Sequence, residues 1–85
     1  MPEVYMYSTR ICPYCMRAER LLIQKGVMQV RKILIDENPQ QMTKMMEITG
    51  RRTVPQIFIG ERHVGGYDDL VELDLDGELD SLLQQ

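Results

Sequence analysis

The sequence predicts a single α/β domain over residues 1–85: a small mixed four-stranded sheet flanked by helices, in the order β-α-β-α-β-β-α. Three observations carry this. Two early segments of β-preferring residues are each followed by a stretch of helical periodicity, an order that favours parallel pairing through a right-handed crossover. Two further short apolar runs meet at Gly60-Glu61, a two-residue connection that suits an antiparallel hairpin. Finally, 85 residues leave room for one core only, burying about 60–65% of the surface of the unfolded chain.

The first strand is Val4–Ser8, "VYMYS", rich in aromatic and β-preferring types. A helix is expected from Pro13 to about Lys25, with Cys15, Ala18 and Leu22 on one face, Leu21 beside them, and Gly26 as the stop. Val30–Ile35 reads as the second strand. "DENPQQMTKMMEITG" follows as a helix, with Asp36 and Asn38 as cap candidates, Pro39 in the first turn and Gly50 beyond the end. Met42, Met45, Met46 and Thr49 fall at helical spacing and are expected to fill the core. "VPQIFIGERHVGG" holds the hairpin. A last helical segment runs from near Tyr67 to Leu83, with a candidate break around Gly77.

Ten basic against thirteen acidic side chains give a net charge of −3, which argues against general nucleic-acid binding. No apolar run approaches the roughly 18 residues of a membrane span, and "MPEVYMYSTR" lacks the pattern of a secretory signal. The expectation is therefore a cytoplasmic protein without nucleic-acid or membrane partners. In that compartment thiols stay reduced, which disfavours a permanent structural disulfide.

The two cysteines lie in "RICPYC", at positions 12 and 15. A closed zinc site needs four ligands, and the chain adds only His63, expected on an exposed strand edge, so no metal is expected. Redox chemistry suits the place better. Cys12 stands between a strand and a helix that begins with Pro13, whose missing N–H leaves no donor unpaired. The remaining free N–H groups of that turn, and the positive end of the helix dipole, face the Cys12 sulfur and favour thiolate. Thiols so placed have pKa values of roughly 3.5–7.5, against about 8.5 for a free cysteine. Cys15, one turn on, shares the core-facing side with Ala18 and Leu22. Cys12 is thus the expected nucleophile and Cys15 the resolving thiol.

"CPYC", "TVPQIFI" from Thr53 and "GGYDDL" from Gly65, taken in that order, resemble the glutaredoxins, most nearly the small bacterial dithiol members of the glutaredoxin 3 type. The resemblance covers essentially the whole chain. It implies a thioredoxin-like fold, glutathione as co-substrate, and a cis bond between Val54 and Pro55. It further implies that the Val54 backbone pairs with the cysteinyl part of glutathione. The start of the last helix, with Gly66, Tyr67 and Asp68, would receive the γ-glutamyl end, and Tyr14 would flank the tripeptide. Thr53 and Pro55 belong to the same implied site. One departure stands out: many family members have a lysine three residues before the first cysteine, where this chain has Thr9. Arg51, helped by Arg10 or Arg52, is expected to supply the missing cation for the glycyl carboxylate of glutathione.

The function implied is a glutathione-dependent thiol-disulfide oxidoreductase, acting on glutathione mixed disulfides through Cys12 alone and on protein disulfides through both cysteines. Partners would be glutathionylated or disulfide-containing proteins, ribonucleotide reductase among the family's candidates, with a monomer as the default state. Two alternatives remain at this point. One is a redoxin reduced by thioredoxin reductase. The other is an iron-sulfur cluster carrier, against which Pro13 and Cys15 argue.

Overall fold

The computed structural model describes residues 1–85 and contains eight elements. They are β1 (Val4–Ser8), α1 (Pro13–Gln24), β2 (Arg31–Leu34), α2 (Pro39–Thr49), β3 (Gln56–Ile59), β4 (Arg62–Gly65), α3 (Tyr67–Leu75) and α4 (Glu78–Leu83). The sheet order is β2-β1-β3-β4. β1 runs parallel to β2 and antiparallel to β3, and β3 runs antiparallel to β4. Side-chain alternation on this sheet separates two apolar layers. Val4, Met6, Ile57 and Ile59 pack with both cysteines, Leu22 of α1, Leu70 of α3 and the α4 leucines. Tyr7, Phe58 and Ile35 pack with Met45 of α2.

Local chemistry explains the boundaries. The Asn38 side chain accepts from the Gln40 N–H at 3.1 Å and starts α2, while Gly50 closes it in the left-handed conformation. The hairpin turns on Gly60, the one central residue with positive φ (+60°), as a type II′ connection requires. Gly77, at φ +80°, divides the final helical segment into α3 and α4.

Several expectations need correction. β2 is two residues shorter than Val30–Ile35, although both end residues remain buried against the helices. Asp36 does not cap α2; its carboxylate accepts the Arg10 N–H at 3.1 Å and ties down the loop before Cys12. Of the four residues expected in the α2 core face, only Met45 is fully buried, and Met42 is exposed. Met45 packs with Tyr7, Phe58 and Ile35, and Met46 is partly buried beside them. His63 is half-buried, not free at the edge; its ring lies 5.0 Å from that of Phe58.

Leu22, with no exposed surface, should reveal the core's contribution. Leu22→Ala is expected to lower unfolding free energy by about 2–5 kcal/mol in urea denaturation, whereas Leu75→Ala, at an exposed site, should change it by less than about 0.5 kcal/mol.

Candidate functional site: the cysteine junction and its cleft

Cys12 is the N-cap of α1. Its backbone is extended, Pro13 opens the helix, and its sulfur accepts the Cys15 N–H at 3.1 Å. Cys12 and Cys15 are joined as a disulfide, with their Cα atoms 5.2 Å apart. Both are largely buried, Cys12 at 8% exposure and Cys15 at 3%, so the expected difference in exposure has the expected sign but is small. The N–H held against Sγ is the feature that favours negative charge there.

A cleft of ≈ 230 Å³ opens beside this junction. Tyr14, between the cysteines, forms one wall, and its ring stands 6.2 Å from that of Tyr67. Thr53, Val54 and Pro55 form another wall, with Val54-Pro55 in the cis form. The β1–β3 ladder begins only at Gln56, so the Val54 backbone lies outside it. Gly66, Tyr67 and Asp68, at the start of α3, close the third side together with Asp69 and Arg51. Val54 and Tyr67 also pack against the core cluster that contains both cysteines. Cys12 and Cys15 line a second, smaller cavity of ≈ 60 Å³ with Thr9, Arg10, Glu19 and Lys32.

The arginines divide. Arg51 lines the cleft, but its Nη1 donates to Asp69 Oδ2 at 2.8 Å. Arg10 turns away to Glu37, Nε to Oε1 at 3.1 Å, and belongs to the smaller cavity. Arg52 is exposed and lines neither. Asp69 is the residue that sequence reasoning passed over. The same Oδ2 accepts the Gly66 N–H at 2.8 Å, the N3-to-N-cap half of a capping box, and the spacing from Gly66 to Asp69 was its visible signal. The Arg51 hydrogen bond, then the Gly66 N–H, hold the Asp69 carboxyl below its usual range. His63 is pushed below the ordinary imidazole range, first by burial and then by Arg51, with Asp69 opposing. Gly65 has φ +116°, and a Cβ there would come within 2.8 Å of the Asp69 Cγ. Gly66 is less constrained, with Pro55 O as its nearest neighbour at 3.6 Å.

No helix is long and apolar enough to cross a membrane. The chain matches the Glutaredoxin family model over residues 4–64. It is 48% identical over 84 residues to glutaredoxin 3 of Escherichia coli K12, covering 99% of this chain and all of the relative. A solution structure of glutaredoxin from Brucella melitensis superposes with a TM-score of 0.84 at 48% identity, covering 98% of this chain and 89% of that one. The crystal structure of a buckwheat glutaredoxin–glutathione complex gives a TM-score of 0.89 at 32% identity, over 98% of this chain and 77% of that one.

The lowered Asp69 pKa has a definite sign in stability. The carboxylate stabilises the fold above the unfolded-state value near 4, and that contribution is lost as pH falls through the lower folded-state value. Asp69→Asn is expected to flatten the acid limb of melting temperature against pH below about pH 4, by no more than about 1 kcal/mol because the pair is partly solvated. An acid limb as steep as that of the wild type would contradict this.

Proposed function

The chain belongs to the glutaredoxin family and has its thioredoxin-like fold and disulfide-forming cysteine pair, and we propose that it is a glutathione-dependent thiol-disulfide oxidoreductase. The observation that carries the glutathione half of this reading is the cleft between Tyr14, Thr53–Pro55 and the start of α3. It offers three kinds of contact to a tripeptide. The Val54 backbone is free to pair with the cysteinyl unit in strand fashion. The N–H groups of the first turn of α3 suit the γ-glutamyl carboxylate, and Asp68 suits its ammonium. Arg51 suits the glycyl carboxylate, which would have to share it with Asp69. The buckwheat homologue's complex with glutathione supports the same reading.

In the one-cysteine route the Cys12 thiolate attacks the glutathione sulfur of a mixed disulfide. A Cys12–glutathione disulfide forms and the substrate leaves as thiolate. A second glutathione, as thiolate, then attacks that sulfur; oxidised glutathione leaves and the Cys12 thiolate returns. In the two-cysteine route Cys12 attacks a protein disulfide, and Cys15 then attacks the Cys12 sulfur. The dithiol substrate leaves and the Cys12–Cys15 disulfide remains, to be reduced by two glutathiones. The hydrogen bond from the Cys15 N–H to Cys12 Sγ favours Cys12 as the attacking thiolate in both routes. The reading extends to glutathionylated and disulfide-containing proteins as partners, ribonucleotide reductase among them, and to a cytoplasmic monomer.

In an assay coupled to glutathione reductase, Cys12→Ser should abolish both routes. Cys15→Ser should keep deglutathionylation and lose most protein-disulfide reduction; a fully active Cys12→Ser would overturn the assignment. Arg51→Ala should raise the KM for a glutathionylated substrate about 2–5-fold, the range of a half-exposed ion pair, and an unchanged KM would remove Arg51 from the site.

A further inference from the structure

Gln56 is out of place by polarity alone. Ser8 and Gln56 are the only buried polar side chains, and Gln56 has no exposed surface at all, at the head of a strand whose next three residues are Ile57, Phe58 and Ile59. A buried amide persists where its hydrogen bonds are made, and here they are. Nε2 donates to the Thr53 carbonyl at 3.0 Å and lies 3.3 Å from the Thr53 hydroxyl. Oε1 lies 2.8 Å from Nε2 of His63.

The directions are fixed by chemistry. A carbonyl only accepts, so the Gln56 nitrogen must face Thr53 and its oxygen must face His63. His63 therefore carries its proton on Nε2 and donates. His63 comes from the edge strand β4, is half-buried, and packs its ring against Phe58. A chain of hydrogen bonds thus runs from the edge strand, through the buried amide, to the loop that forms one wall of the cleft. Thr53 and Val54 line that cleft, while Gln56 and His63 do not.

We propose that Gln56, with its amide oriented by His63, is a positioning residue that holds the Thr53–Val54 backbone in the shape that receives the glutathionyl part of the substrate. This rests on the reading of the cleft as a glutathione site. Gln56 acts on binding through Thr53 and leaves the sulfur exchange at Cys12 alone. Its loss therefore raises KM and spares kcat. A pair that only stabilised the fold would lower the melting temperature and leave KM where it was.

The test is steady-state kinetics with a small glutathione mixed disulfide, together with thermal melts, on the wild type, Gln56→Met, His63→Phe and His63→Gln. Gln56→Met keeps the length of the side chain and removes its hydrogen bonds. It should raise KM about 5–10-fold, with kcat within about 2-fold. His63→Phe keeps a ring against Phe58 but removes the donor, and should raise KM about 3-fold. His63→Gln, whose amide nitrogen can stand near the lost Nε2, should bring KM back to within about 2-fold of the wild type. If Gln56→Met does not fold, the two His63 variants carry the same test. An unchanged KM in folded Gln56→Met, or equal KM values for His63→Phe and His63→Gln, overturns the inference while leaving the glutathione reading intact. A wild type inert toward glutathione mixed disulfides overturns both.

Discussion

The placement of β1 is the constraint from which the site follows. β1 lies inside the sheet, parallel to β2 and antiparallel to β3, with Tyr7 opposite Gln56. The exit of β1 and the entry of β3 therefore share one end of the sheet. β4 is antiparallel to β3, with Ile57 opposite Gly65, so it too finishes at that end. Three chain segments leave the sheet together there: the loop to Cys12, the Thr53–Pro55 loop, and the turn into α3 at Gly66. No single segment holds a complete site. The antiparallel register assembles one from residues more than fifty positions apart in sequence.

Burial and charge then divide the work at that end. The cysteines sit in the same apolar cluster as Leu22, Leu70 and Leu79, which fixes the start of α1 on the sheet and keeps both sulfurs largely out of water. One side of the cleft is polar and tied by Asp69, one of whose oxygens accepts from both Arg51 and the Gly66 N–H. That carboxylate partly neutralises the cation that a glycyl carboxylate would use. It also leaves no room for a side chain at Gly65. On the proposed function, affinity for an anionic tripeptide would thereby be moderated, which would suit the release of oxidised glutathione at each turnover.

Much of this was legible in the residues. Pro13 after Cys12, Asn38 before Pro39, and Gly60 and Gly77 at turns each act locally, and local rules located them. The positions of Cys12 at the helix tip and of Cys15 one turn on, facing the core, were legible for the same reason, since both are local facts. What escaped depends on partners distant in sequence. Asp36 looked like a helix cap because its actual partner, the Arg10 N–H, is 26 residues away. Arg10 looked available for a substrate carboxylate, and Glu37 holds it elsewhere. His63 looked exposed because nothing in the hairpin's own pattern shows the Gln56 amide behind it. The methionine stripe of α2 was overdrawn because periodicity gives a face, while the residues packed beneath, Tyr7, Ile35 and Phe58, decide how much of it is covered.

The proposed convergence of the three segments around glutathione is most directly tested by amide chemical shifts. Reduced Cys15→Ser would be compared with the same protein carrying glutathione in disulfide linkage to Cys12. The largest shifts are expected at Tyr14, Thr53, Val54 and Gly66 to Asp68, with Glu19 and Lys32 at the smaller cavity nearly unmoved. Shifts concentrated at Thr9, Arg10, Glu19 and Lys32, with the Thr53–Val54 loop and the start of α3 unmoved, would contradict the placement of glutathione in the cleft.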